Sequence, residues 1–328
     1  MKALRICCIV ALLSGCGGNQ IPFAPVAASH ADEYAARADA DSNGDLLYIA
    51  EADQNFAYIY TYPQGRLLTK ITSGISGAVG MCTDAAANVY ITSTLTPAVV
   101  EYAHGAASPS ATFYEDLGKG GQPNGCSVDP TTGDLAVVNG IGNLVGIFTD
   151  PSDEGTYYTI SGMSAARFCG YDDKGNLFID GPRTPAGKGF VLAELPAGGK
   201  ALKKITVDGR IESPGAIAWD GSYVTVAGIN AASSALYRVK IVGTDATVVG
   251  TTPLRGEKTI GQSVIFDSKV IAPYAVRGDY RNRVGAWNYA RGGKVTQLVR
   301  RAGNSFYGLA ISPGGANKAA SRSSARRS

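Results

Sequence analysis

A turn aspartate returns along this chain at nearly constant spacing, and that spacing limits the folds open to it. It stands at Asp41, Asp84, Asp129, Asp172, Asp220 and Asp267, with Ser312 in the next equivalent place. The intervals are 43, 45, 43, 48, 47 and 45 residues. The fullest copy of the phrase runs from Gln122 to Asn139, QPNGCSVDPTTGDLAVVN. It reads as Pro-Asn-Gly, a short apolar strand, an Asp at a turn, a Gly and a second short apolar strand. Asp and Asn bond their own backbone in such turns and Gly accepts positive φ, so Asp-x-x-Gly-Asn is a low-cost reversal between two strands.

A unit of ~40–50 residues with several short strands is the signature of a propeller blade. The spacing predicts a strand a before each aspartate, as in Gly125–Val128, and a strand b after it, as in Leu135–Val138. Strands c and d follow, for example YIYTY at 58–62 and LLTKIT at 67–72. A four-stranded blade has two apolar faces and buries them only by stacking against neighbours. Six complete b-c-d sets can be placed. A strong strand a, FYGLAI at 306–311, has only a tail after it, while Ala38-Asp39-Ala40 at the other end is a poor strand. The expected fold is therefore all-β: a six-bladed β-propeller over residues 38–312, its first blade closed by the C-terminal strand. Closure removes the exposed edges that an open blade would leave. The 42 Gly residues, and 17 Tyr against 9 Phe, agree with short strands joined by Gly-rich turns.

The formal charge of +3 is concentrated at the ends. Lys2 and Arg5 lie in a leader, and Lys318, Arg322, Arg326 and Arg327 lie in a tail over 313–328 that reads as disordered. Without those six, 24 basic residues face 27 acidic ones, so the body lacks the basic face of a nucleic-acid binder. Residues 1–15 read as a signal peptide: a positive start, then an apolar core from Ile6 to Leu13, too short for a transmembrane helix of ~20 residues. Leu13-Ser14-Gly15-Cys16 resembles the lipobox of bacterial lipoproteins, which implies cleavage before Cys16 and lipidation of its thiol. Several acyl chains on one residue make a stable anchor. Residues 16–37 then read as the lipidated cysteine and a flexible tether. Gly17 follows the cysteine where the resemblance would place an Asp for inner-membrane retention, so the expected location is the cell envelope, with the outer membrane favoured.

PNGCSVDPTTGDLAVV, FCGYDDKGNLFI and IYTYPQG resemble NHL-type propeller repeats and the wider family that includes gluconolactonases. In the lactonases of that family a divalent metal sits at the mouth of the central channel, and one ligand is the Asn of a Pro-Asn-Gly phrase. Pro123-Asn124-Gly125 matches it, so the resemblance implies Asn124 as a ligand and metal-dependent lactone hydrolysis as the alternative function. The places where the family has a Pro-Asp-Gly phrase read Ala165-Ala166-Arg167 and Ser213-Pro214-Gly215, without a carboxylate. An early Glu in a Gly-Glu-Gly-Pro setting is also missing. Asn124 is equally a turn residue before a Gly.

Other constellations are sparse. Asp39, Asp41, Asn43 and Asp45 match the first half of a calcium loop, but its twelfth position is Ala50, and the stretch coincides with the first a–b turn. No cofactor is otherwise expected. Cys82, Cys126 and Cys169 fall on inner strands of consecutive blades, where a thiol triad would make a soft-metal or redox site. Cys82 lies two residues before its aspartate and the others three, which turns Cys82 to the opposite face. Neighbouring inner strands are expected to lie too far apart for a disulfide, which needs Cα atoms within ~7 Å, so the three read as small buried hydrophobes. With only His30 and His104, a Ser-His-Asp triad or His-ligated metal has no material. The end of the ring formed by the b–c and d–a connections would present Glu51, Asn124, Asn139, Arg167, Asp180, Asn230 and Gln262. That amide-rich set suits hydrogen-bonding recognition better than hydrolysis. The expected function is a lipid-anchored envelope propeller that binds a protein, a glycan or a small polar ligand, with no nucleic-acid partner.

Overall fold

The computed structural model describes residues 44–114, 121–209, 211–230, 233–256, 261–276, 279–301 and 306–315. Six four-stranded antiparallel units follow one another in the order the spacing predicts. The first unit is completed by the C-terminal strand Phe306–Ser312, which pairs antiparallel with Leu46–Glu51 in the register Leu47 to Ile311 and Tyr48 to Ala310. The chain closes its ring as expected: strand a of blade 1 comes from its far end.

The core is divided among the seams between blades. Five of six buried clusters each draw on two neighbouring blades, and the one between blades 5 and 6 also takes in Phe168 of blade 4. Leu46, Tyr48 and Ala50 face blade 2, and Leu47 and Ile49 on the same strand face blade 6. Strand periodicity explains the split, since alternate residues point to opposite faces and both faces are covered. Near the axis the inner strands approach so closely that side chains are excluded. A Cβ on Gly80 would stand 1.8 Å from the Asn124 carbonyl oxygen, and one on Gly308 would stand 2.0 Å from that of Val79.

The landmark aspartates build the a–b turns as their chemistry dictates. Asp84 Oδ1 accepts the N–H groups of Ala86 and Asn88 at 2.9 and 2.8 Å, and Asn88 Nδ2 donates to Asp84 Oδ2. Asp172 repeats this with Lys174 and Asn176, with Gly175 at φ 81°. Tyr289 adds a tie between blades by donating its hydroxyl to Asp220 at 2.5 Å.

Two features go beyond the sequence reading. Strand d of blade 4 (Lys203–Asp208) pairs in parallel with strand d of blade 5 (Asp245–Arg255), Thr206 opposite Asp245, so two outer edges cover each other. Pro313 to Gly315 continue past the closing strand, and the Gly314 N–H is held by Asp45 Oδ1 at 2.8 Å.

Candidate functional site

At the end of the ring formed by the b–c and d–a connections, the residues expected to form a rim are mostly withdrawn into the structure. Glu51, Asn124, Asn139, Asp180 and Gln262 are buried, and Arg167 is half-buried. Asn230 ends strand b of blade 5 (Val224–Asn230) opposite Ser233. Their polar groups brace a single blade or tie two together. Asn139 Oδ1 accepts the N–H groups of Gln122 and Ile141, each at 3.1 Å. Asn124 Nδ2 donates to the Arg167 carbonyl at 2.6 Å, and the Arg167 N–H donates to the Asp180 carbonyl at 2.8 Å. Gln262 passes over Gly308 of the closing strand and makes a two-point clasp with Met81 of blade 2. Its Oε1 accepts the Met81 N–H at 2.9 Å and its Nε2 donates to the Met81 carbonyl. The structure thus joins Asn124, Arg167 and Asp180 in one chain and sends Gln262 across to a different blade.

Asp180 is chemically the most unusual of the set. It is 0% exposed and its two carboxylate oxygens have no partner within hydrogen-bonding geometry. Burial pushes its pKa well above the usual carboxylate range, and the nearby N–H groups of Gly215 and Phe168 offset only part of that. Its position has a counterpart in blade 2. Ile179 pairs with Cys169 and Ile91 pairs with Met81, so Asp180 and Thr92 occupy the same register. Thr92 Oγ1 accepts the Gly80 N–H at 2.7 Å and donates to the Asn124 carbonyl at 2.9 Å, bridging its own inner strand to the next. Asp180 stands at that bridging place with a carboxyl that can donate only when protonated.

The cysteines require a correction. Cys82 and Cys126 form a disulfide, with Cα atoms 5.6 Å apart, although neighbouring inner strands were expected to lie too far apart. The glycine-lined approach described above brings the strands within reach. The one-residue offset also has the opposite consequence from that expected. Adjacent blades meet through opposite faces, so turning Cys82 away from the face used by Cys126 aims the two thiols at each other. Cys169 keeps its thiol and is buried against blade 3, its Sγ 3.9 Å from the Ala136 carbonyl. Ser127 occupies on blade 3 the register that Cys82 occupies on blade 2, and its hydroxyl accepts the Tyr171 N–H across the seam. Ser127→Cys is therefore expected to form a second inter-blade disulfide with Cys169 under oxidising conditions. Mass spectrometry of the non-reduced protein checks this, and persistence of both free thiols after oxidation counts against the register argument.

The channel is clasped by Gln262 on one side and opens toward the a–b turns as a cavity of about 360 Å³. Tyr171, Trp219 and Phe266 line it, each the residue immediately before a landmark aspartate. Sequence reasoning did not single them out. Their recurrence at that one position in three consecutive units was the available signal.

The metal that the lactonase resemblance implies gains no support from the residues around Asn124. Asn124 donates its amide to Arg167, and no group of three or more His, Cys, Asp or Glu side chains that could hold a metal ion occurs among the described residues. No hydrolytic step is derived from it. Of the calcium-loop residues, Asp39, Asp41 and Asn43 lie outside the described residues, and Asp45 holds Gly314.

At the level of sequence, no family model matches the chain and no curated protein does. Solved structures do match in shape. A crystal structure of a nidogen/laminin complex contains a chain with a TM-score of 0.63 and 13% identity, the match covering 82% of this chain and 98% of that one. The fold is that of a β-propeller. A protein of unknown function from Bacteroides caccae gives 0.60 at 11% identity, with 82% and 98% covered. Hydrazine synthase from Kuenenia stuttgartiensis gives 0.54 at 11% identity, with 71% and 70% covered. At such identities the likeness concerns the propeller ring and leaves the site chemistry to this chain's own residues.

Proposed function

We propose that this chain is a lipid-anchored propeller of the bacterial cell envelope that acts as a binding module, with a protein as its principal partner. The observation that carries this reading is a pair of exposed apolar side chains at the b–c end of the ring. Leu95 is 69% exposed and Ile141 is 58% exposed, and they stand in the b–c connections of neighbouring blades 2 and 3. Single exposed hydrophobics are ordinary, but two at equivalent loops of adjacent blades offer apolar contacts beside a framework of internally satisfied amides. The Cys82–Cys126 disulfide supports an oxidising compartment outside the cytosol, in keeping with the leader and lipobox. The nidogen/laminin structure is a protein–protein complex and supports a partner of the same class.

The test combines anchoring with capture. Cys16→Ala is expected to move the protein from the membrane fraction to the soluble one and to abolish fatty-acid labelling. Cross-linking in intact cells is expected to yield a partner that the Leu95→Asp, Ile141→Asp double variant loses at unchanged thermal stability. A Cys16→Ala protein that stays in the membrane refutes the anchor, and a cross-linked set unaffected by the double variant refutes the surface.

A further inference from the structure

The cavity at the a–b end of the channel is a second candidate site, on the opposite end of the ring from Leu95 and Ile141, and it does not depend on the anchored-module reading. No Asp, Glu, Lys, Arg or His is among the described residues that line it. The neutrality has a cause in the turns. Every blade around this mouth could present its landmark aspartate, yet the carboxylates of Asp84, Asp129, Asp172 and Asp220 fold back onto the N–H groups of their own turns. The lining is uncharged and mixed, with Met81, Ile217, Ile265 and Ile311 beside aromatic rings that also pack into the seams between blades. Tyr171, Trp219 and Phe266 come from three consecutive blades, and Thr83, Ser127 and Ser263 add hydroxyls. Burial raises the pKa of the Tyr171 phenol, which keeps it a neutral hydrogen-bonding group.

We propose that this cavity binds one ring of a neutral carbohydrate, a hexose or N-acetylhexosamine unit. A pyranose ring has apolar C–H faces that pack on aromatic side chains and hydroxyls that pair with Ser, Thr and Tyr. A charged sugar would lose water without gaining a counter-ion, which is costly. The volume of about 360 Å³ lies at the low end of the ~300–1,000 Å³ range of ligand pockets and admits one ring. The Gln262 clasp bars passage at the far side, so the ring enters from the a–b face alone, as a free sugar or the end of a glycan.

The chain has 2 Trp residues, which makes the test direct. Trp219 lines the cavity and Trp287 is buried between blades 5 and 6. Titration of the whole protein with the methyl glycosides of glucose and N-acetylglucosamine is expected to change Trp219 emission saturably, and Trp219→Phe is expected to remove the signal. Ligand-observed NMR on Ala218→Phe, which fills the cavity, is expected to show loss of binding at unchanged melting temperature. Thr83→Val, a nearly isosteric change, is expected to weaken binding about fivefold through one lost hydrogen bond. Glucuronate and glucosamine are expected to bind at least about tenfold more weakly, reflecting the cost of desolvating a charge. The proposal is overturned by absence of binding for both neutral glycosides at millimolar concentration, by equal binding of the charged sugars, or by binding that survives Thr83→Val and a folded Ala218→Phe. Phenol binding without glycoside binding overturns the carbohydrate assignment as well.

Discussion

Reducing the Cys82–Cys126 disulfide is expected to lower the stability of the propeller by about 2–4 kcal/mol. The bond joins inner strands of blades 2 and 3 across a sequence separation of 44 residues. For a loop of that length the loss of freedom in the unfolded chain is worth about 4 kcal/mol at 25 °C, and strain in the folded state subtracts from it. In a domain of this size each kcal/mol moves the melting temperature by roughly 2–4 °C, so a fall of about 5–15 °C is expected. The comparison is a thermal melt with and without dithiothreitol, run on the natural protein and on the Cys82→Ala, Cys126→Ala double variant. The double variant should melt low in both buffers. A reductant effect that persists in it would place the redox sensitivity elsewhere, and a melt unchanged by reduction would contradict the bond's stabilising role.

Asp180 is expected to make the propeller less stable as the pH rises. Burial raises its pKa in the folded protein well above the usual carboxylate value of the unfolded chain. Above that unfolded value the folded state therefore holds more protons than the unfolded one. The sign follows from linkage: this group's contribution is fully present below the unfolded pKa and is lost as pH climbs through the folded pKa. Asp180→Asn keeps the shape and removes the titration, and a gain of about 1–3 kcal/mol at neutral pH is expected from avoiding the cost of burying a carboxyl that is ionised in the unfolded chain. Asp180→Thr installs the group that bridges two inner strands at Thr92, and the same gain is expected from it. Denaturant titrations at pH 4, 6 and 8 check both variants against the natural protein. The decisive feature is the slope: the difference between natural protein and Asp180→Asn should widen with pH. A constant difference would mean that Asp180 is equally ionised in the folded and unfolded states across that range.

Much of the architecture was legible because it is written in local chemistry. The aspartate turns could be read from single phrases, since Asp84 and Asp172 satisfy N–H groups two and four residues away. The strands could be read from apolar runs between them, and the closing strand from one surplus strand a at the C-terminal end. The site was much less legible. Asn124 and Asn139 lie at or next to strand ends and Gln262 lies two residues before a strand, but whether an amide meets solvent or a neighbouring backbone depends on the packing around it. The disulfide is the clearest case. Its two cysteines and their one-residue offset were in view, but the distance between inner strands and the face each thiol would meet were both misjudged. That distance comes from Gly80 and Gly125, which admit backbone contact where any side chain would force the blades apart.

The amino-acid order alone determined the repeat, the four strands of each unit and the way the ring is closed, because each rests on interactions within one unit or on a simple surplus of strands. Tertiary structure alone decided which polar groups are satisfied, which thiols meet and which end of the channel stays open. Those outcomes are set where neighbouring blades converge on the axis, and at that radius a few ångströms of backbone separation select between a bond, a clash and a cavity.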